Sequence, residues 1–402
     1  MLNAYPVPPD IRQFTRRALP IGLVLLIASI IGGVFSPDQF YHSYLLGYIF
    51  VLNITLGCFA LVMVQHLSGG NWGVVARRML EAGMLTLPLM AVLGIPILLG
   101  MGSLYSWTHP DVVAADHIIR DKTLYLNYTF FIVRYICYFV IWSVIAFFLR
   151  KWSIEQDATG DPAIGRKLQR LSGGGLVVYG ITLTFAVTDW IMSLVPHWFS
   201  TIFGMIFMCG QGLSAFCFTI AIIWWMMQRE PFKSFISRKQ MIDFGNLMLA
   251  FVILWTYMSF SQFLLIWAGN LPEEIVFYVP RFEHGWAIVG TLLLLFHFFV
   301  PFFLLLSRDI KGKVARVGTL AIFLEGFRWI DIYWMVAPAQ HTNLHLSWMD
   351  IALPLGIGGL FLANWAWFLE KQPLLPLRDP LLNQALTYGH HPASGGDLAA
   401  GN

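Results

Sequence analysis

The stretch Thr188–Ser200, TDWIMSLVPHWFS, sets a carboxylate, Asp189, deep in an otherwise apolar run and follows it with Pro196, His197 and Trp198. A charge at the centre of a bilayer costs about 3 kcal/mol on insertion scales, so a submerged acid needs a partner, a proton or a function. Arg134, Glu325, Arg328 and Asp331 are also submerged in apolar runs. The last three repeat at i, i+3 and i+6, which on a helix puts Arg328 on one arc between Glu325 and Asp331 and within reach of both. Arg134 and Asp189 fall at a similar depth and are positioned to pair. With Glu81, Asp243 and His297 nearer one surface, Glu325 midway and Asp189 and Asp331 towards the other, these groups form a graded series. Such a series suits a proton relay whose gaps are closed by water. Buried ion pairs that only hold helices in register are the alternative.

A second chemistry is binding of a quinol head, which needs an apolar slot, aromatic walls and one or two groups that exchange protons. His197, Trp190, Trp198 and Gln262 supply those types near one surface, although His197 and Trp198 also suit an interfacial aromatic belt. His297 is the one clearly deep histidine, which argues against a bis-histidine haem and for a satisfied bundle histidine. Cys58, Cys137, Cys209 and Cys217 all lie in apolar runs without a CxxC, so they read as small hydrophobes and offer no covalent haem or iron–sulfur ligation. No metal site and no nucleotide-binding motif is present in the sequence, and no residue stands out as a catalytic nucleophile. A chain so equipped moves electrons only with a partner.

The elements that hold these residues are spanning helices. Of 402 residues, 57% are hydrophobic and 12% charged, and apolar runs recur from Leu19 to Leu369. About ten crossings are expected: 18–35, 41–66, 77–101, 127–149, 173–195, 199–227, 240–268, 284–306, 314–336 and 347–369. The outer loops hold only Arg120, Lys122 and Arg281, Arg134 and Arg328 lie within helices, and every other Lys and Arg collects on the opposite side. That asymmetry puts both termini in the cytoplasm. The net charge of +3 is dispersed over short loops, which excludes a nucleic-acid surface. Met1–Arg17 reads as a polar tail before an uncleaved anchor. Lys151–Ser172 reads as a polar linker, and the tail after Lys371 as extended over the surface or disordered.

Asp189 precedes Pro196 by the same interval that separates Asp331 from Pro338, and Glu81 and Asp243 occupy matching positions four helices apart. A parallel repeat follows: one four-helix bundle of helices 2–5 in residues 41–198 and a second of helices 6–9 in 199–340. Residues 1–40 and 341–370 supply peripheral helices 1 and 10, and 371–402 a cytoplasmic tail.

This plan, and above all FAVTDWIMSLVPHWFSTIFGM at Phe185–Met205, resembles the polysulfide reductase/NrfD-type membrane subunits, most closely the second such subunit of alternative complex III, a bacterial quinol:cytochrome c oxidoreductase. The resemblance implies a place in the bacterial inner membrane beside a sister subunit of the same fold, smaller membrane subunits and lipids. Above it would lie periplasmic iron–sulfur and multihaem cytochrome c subunits that hold all the clusters and haem c. It implies quinol oxidation, of menaquinol or ubiquinol, next to that redox chain, with the sister as the better candidate for the quinol pocket and this chain for a proton path. Asp189 and His197 carry over from the motif. A stand-alone proton-coupled secondary transporter and a purely structural membrane anchor are the other readings. On sequence alone, Asp189→Asn is expected to lower proton movement per electron, or turnover, while leaving assembly intact.

Overall fold

A computed structural model describes residues 7–227, 229 and 232–389. Its regular structure is wholly helical, with no strand among the described residues. Nine helices there are long and apolar enough to cross a membrane. In chain order they are α1 (Pro9–Phe35), α2 (Pro37–Ser68), α3 (Asn71–Leu99), α4 (Tyr128–Thr159), α5 (Pro162–Leu194), α6 (Phe203–Met226), α7 (Arg238–Gly269), α8 (Trp286–Leu306) and, after one further helix, Met349–Glu370. That further helix, α9, spans Val314–Val336 and is also of crossing length, but it carries Arg316, Glu325, Arg328 and Asp331. Met349–Glu370 is α10.

The helices run further than hydropathy alone marks, because their ends are polar but well capped. Lys151–Ser172 is not a linker: α4 continues to Thr159, and α5 begins at Pro162. Gly160 turns the chain at φ +71°, a conformation that costs glycine little, and the Asp161 side chain accepts from the Ala163 amide at 2.8 Å. Proline at the first helical position then starts α5 without sacrificing a hydrogen bond. Ser237 and Gln240 form a reciprocal capping box at the start of α7. Two helices are irregular, although the sequence shows no obviously broken helix. The α3 crossing is interrupted after Met84 and at Gly94, and α8 carries a π-helical stretch at Leu293–Phe299.

Helices α2, α3, α4 and α5 touch one another in a ring, as do α6, α7, α8 and α9. The rings meet chiefly through α2 and α6, the two most enclosed helices. A Cβ on Gly57 would stand 1.9 Å from the Gln211 carbonyl oxygen, so α2 and α6 approach as closely as glycine permits. Helix α1 lies outside, packed on α10.

One end of the molecule is rich in arginine, and its charges are largely paired. Arg78 is buried and bonds Glu81 at 2.5 Å and Ser153 at 2.9 Å, and it also pairs with Asp157. The segment after Lys371 closes over this cluster rather than trailing away from it. Gln372 accepts from Arg78 at 3.1 Å, Asp379 pairs with Arg77 at 2.6 Å, and Leu374 and Leu375 are buried. Buried guanidinium groups need acceptors, and this segment provides them. Residues 390–402 of the expected tail lie outside the described residues.

Candidate functional site

At the opposite, loop-bearing end of the first ring, Arg134 on α4 meets Asp189 on α5, as their matched depths predict. The pair is bidentate, Nε to Oδ2 at 2.9 Å and Nη2 to Oδ1 at 2.7 Å, and the Tyr138 hydroxyl donates to Oδ2 at 2.7 Å. Arg134 also donates to the Tyr125 carbonyl at 2.9 Å and lies over the Tyr125 and Phe130 rings. Both carboxylate oxygens of Asp189 are therefore engaged, and the residue is 1% exposed. Tyr138 is one helical turn from Arg134, a spacing legible in the sequence yet not singled out there. Glu81 is similarly clasped at the other end, accepting from Arg78, Arg150 and Ser153. These two acids have the geometry of buried ion pairs that hold helices together.

The second ring is different. Arg328 bonds Asp331, Nη1 to Oδ2 at 2.5 Å, but makes no hydrogen bond to Glu325, so the expected three-residue bridge does not form. The cause lies on α6. A Cβ at Gly210 would be 2.1 Å from Arg328 Nη2, so the absent side chain leaves room that the guanidinium fills. Glu325 interacts instead with Ser214, without normal hydrogen-bond geometry. Both carboxylate oxygens of Glu325, both ring nitrogens of His297, Oδ1 of Asp331 and Nε of Arg328 are buried and have no hydrogen-bond partner among the described residues. His297 is thus not the satisfied bundle histidine expected. Its ring packs edge-on against Trp255 at 4.1 Å, and Trp255 in turn interacts with Asp331. His297 sits in the π-helical stretch of α8, an irregularity frequent at functional sites.

Native interiors bond nearly all their buried polar groups, through water when protein partners are lacking. Single unbonded atoms also occur on His66, Tyr125 and Asp157, but among the described residues only Glu325 and His297 leave two polar side-chain atoms unbonded, and these mark a polar interior that needs water within α6 to α9. Sequence reading missed Gly210, Ser214 and Trp255, because a glycine, a serine and a tryptophan in apolar helices carry no signal until a charge is placed opposite them. Asp243 stands apart. It is half-buried on α7 near the arginine-rich end and interacts with the Tyr388 hydroxyl.

The four residues considered for a quinol head do not frame one slot. Trp190 is enclosed in the core of the first ring by Tyr48, Tyr135, Phe139 and Trp142. His197 turns outward to Asp116, Nε2 to Oδ2 at 2.5 Å. Trp198 stacks on Phe277 with centroids 4.1 Å apart. Gln262 shares that neighbourhood, donating to the hydroxyl of the adjacent Tyr278 at 3.0 Å and accepting from Ser200 at 2.9 Å. Only Trp198 and Gln262 are brought together, and the Gln262 amide is committed to protein partners. As a set the four do not fit a quinol.

The loop before the third helix of each ring caps the end of the fourth. Lys122 donates to the Pro196 carbonyl at 2.6 Å, while Arg281 donates to the Trp334 carbonyl at 3.1 Å and the Met335 carbonyl at 2.7 Å. Cations on exposed helix-end carbonyls are favourable through both hydrogen bonding and the helix dipole.

The Asp116–His197 contact fastens the loop of residues 105–127 over the end of α5. The hydrogen bond from His197 holds the Asp116 carboxyl below the usual aspartate range, aided by the Ile118 and Ile119 amides. A carboxyl depressed in the fastened state favours that state above its released value of 3.8 and loses the effect as pH falls through the depressed value. Hydrogen-exchange protection of the Ile118 and Ile119 amides is therefore expected to hold steady from neutral pH down to about pH 4 and to drop below it. In Asp116→Ala the protection should be low throughout, with no acid step.

In comparisons with known proteins, no family model and no curated protein matches this chain.

Proposed function

We propose that this chain is the proton-conducting membrane subunit of a quinol-oxidising respiratory complex. In that reading it is a polysulfide reductase/NrfD-like protein, corresponding to the second membrane subunit of that fold in alternative complex III. Ten crossings form two four-helix bundles related as a parallel repeat, α2–α5 and α6–α9, with α1 and α10 peripheral and both termini in the cytoplasm. The observation that carries the proposal is the set of Glu325, His297 and Asp331 in the interior of the second ring, titratable groups with polar atoms that no protein group bonds.

A carboxylate without a full set of donors can take up and release a proton without breaking a salt bridge. Clasped carboxylates such as Asp189 and Glu81 cannot, since each would have to surrender several charge-assisted bonds. The path therefore runs through Glu325, with His297 and the unbonded Oδ1 of the Arg328-paired Asp331 beside it and water between the groups. The Arg134–Asp189 pair, and the bonds from Glu81 on α3 to Arg150 and Ser153 on α4, keep the first ring in register. Quinol oxidation falls to the sister subunit, and electrons to the periplasmic iron–sulfur and multihaem cytochrome c subunits.

A second reading, a stand-alone proton-coupled transporter, draws on the interrupted α3 and the π stretch of α8. Extraction in gentle detergent separates the two. Co-purification with a protein containing haem c is the expected result. A lone 45.6 kDa species would favour the transporter.

A further inference from the structure

The face of the second ring at the arginine-rich end holds a groove unconnected with the loop-end contacts. It has a volume of about 530 Å³ and runs along the seam between α8 and α9. That size lies within the ~300–1,000 Å³ range of small-molecule sites. Its walls are apolar: Val300 and Leu304 come from α8, Leu320 and Phe323 from α9. At its rim stands Arg316, exposed and with no ion pair or hydrogen bond among the described residues. Thr319, the other polar lining residue, spends its hydroxyl hydrogen on the Ala315 carbonyl at 2.9 Å and has none left for a ligand. The groove thus presents, among the described residues, one unpaired cation beside an apolar trough, on a face of a chain built from membrane-crossing helices.

We propose that this seam binds an anionic phospholipid. The phosphate lies against the Arg316 guanidinium and one acyl chain lies along Val300, Leu304, Leu320 and Phe323. Both halves of the ligand are required by the geometry. A free anion would leave the apolar trough unused, and a zwitterionic lipid would oppose its own ammonium to the guanidinium. Guanidinium matches phosphate through two parallel N–H donors, an advantage that lysine lacks. Basic pockets between helices at one membrane surface are a recurrent form of headgroup recognition. The proposal does not depend on the proton path.

The test uses the full protein, with whatever subunits it carries, purified in neutral detergent and stripped of lipid. Phosphatidylglycerol, phosphatidylcholine or inorganic phosphate is added, and binding is read by native mass spectrometry and by the thermal midpoint. Phosphatidylglycerol is expected to be retained and to raise the midpoint, phosphatidylcholine to do so less, and inorganic phosphate not at all. Arg316→Gln should weaken phosphatidylglycerol about fivefold, the effect of one basic residue near an anionic lipid, and leave phosphatidylcholine unchanged. Ala315→Phe, at an exposed lining position, should obstruct the trough and weaken both lipids. Both variants change exposed side chains, and their lipid-free midpoints should match that of the unaltered protein. Equal phosphatidylglycerol binding by Arg316→Gln and the unaltered protein would overturn the proposal. So would stabilisation by inorganic phosphate as large as that by the lipid.

Discussion

Glu325→Gln should lower the rate of proton movement through the subunit by about 100-fold, within the range attributed to one positioned proton-transfer group. The complex should assemble normally. The expectation rests on what the carboxylate lacks. Its oxygens are buried and bonded to no described protein group, so an amide in their place breaks no native hydrogen bond. An amide is also cheaper to submerge than a carboxylate, whose cost at mid-membrane is about 3 kcal/mol. Thermal stability should therefore stay level or rise while proton transfer collapses. Glu325→Asp, which keeps the titrating group but shortens its reach, should retain part of the activity. Reconstituted vesicles with a pH-sensitive dye give the rate of proton movement, and the thermal midpoint of the solubilised complex gives the stability. Full proton movement in an assembled Glu325→Gln complex would remove this residue from the path and leave the polar interior of the second ring without a role in conduction.

Asp189→Asn has the opposite signature. The expectation drawn from sequence, altered coupling with intact assembly, is reversed by the bidentate contact with Arg134 and the third bond from Tyr138. Asparagine preserves the shape but leaves Arg134, 8% exposed, without a counter-charge. Breaking one side of a buried pair costs about 3–5 kcal/mol, which is a large part of the stability of a typical domain. The yield of folded subunit should fall sharply and the thermal midpoint with it. Replacing both partners, Asp189→Asn with Arg134→Leu, should recover most of the loss because no charge is then stranded. Normal yield and stability in Asp189→Asn, together with reduced coupling, would return Asp189 to the proton path and make the clasp incidental.

These two acids looked alike in the sequence. Each sits in an apolar run of comparable hydropathy, and each has an arginine within plausible reach. Asp189 finds its partner across two helices, whereas Arg328, one turn from Glu325 on the same helix, bonds Asp331 instead. Helical spacing tells which side chains share an arc, but not which neighbour opposite offers space. Here a glycine on α6 offers it. The turn at residues 160–162 carries a complete stop-and-start signal, an aspartate before a proline after a glycine, that the linker reading of this stretch passed over. It was obscured by the polarity of the flanking helix ends. The fate of the described segment after Lys371 was not legible, because its composition resembles that of an extended tail. What holds it is a set of buried arginines supplied by α3.

The sequence alone determined an all-helical chain with long apolar crossings, and it marked most of the charges that such a setting makes costly, though not Asp350, which is buried in α10. Both follow from transfer free energies, which depend on residue type and need no knowledge of neighbours. Only the tertiary structure decided which of those charges are satisfied. A hydrogen bond forms or fails over a fraction of an ångström, and the atoms that settle it, Tyr138 for Asp189, Ser153 for Glu81 and the missing Cβ of Gly210 for Arg328, come into place only when the helices pack.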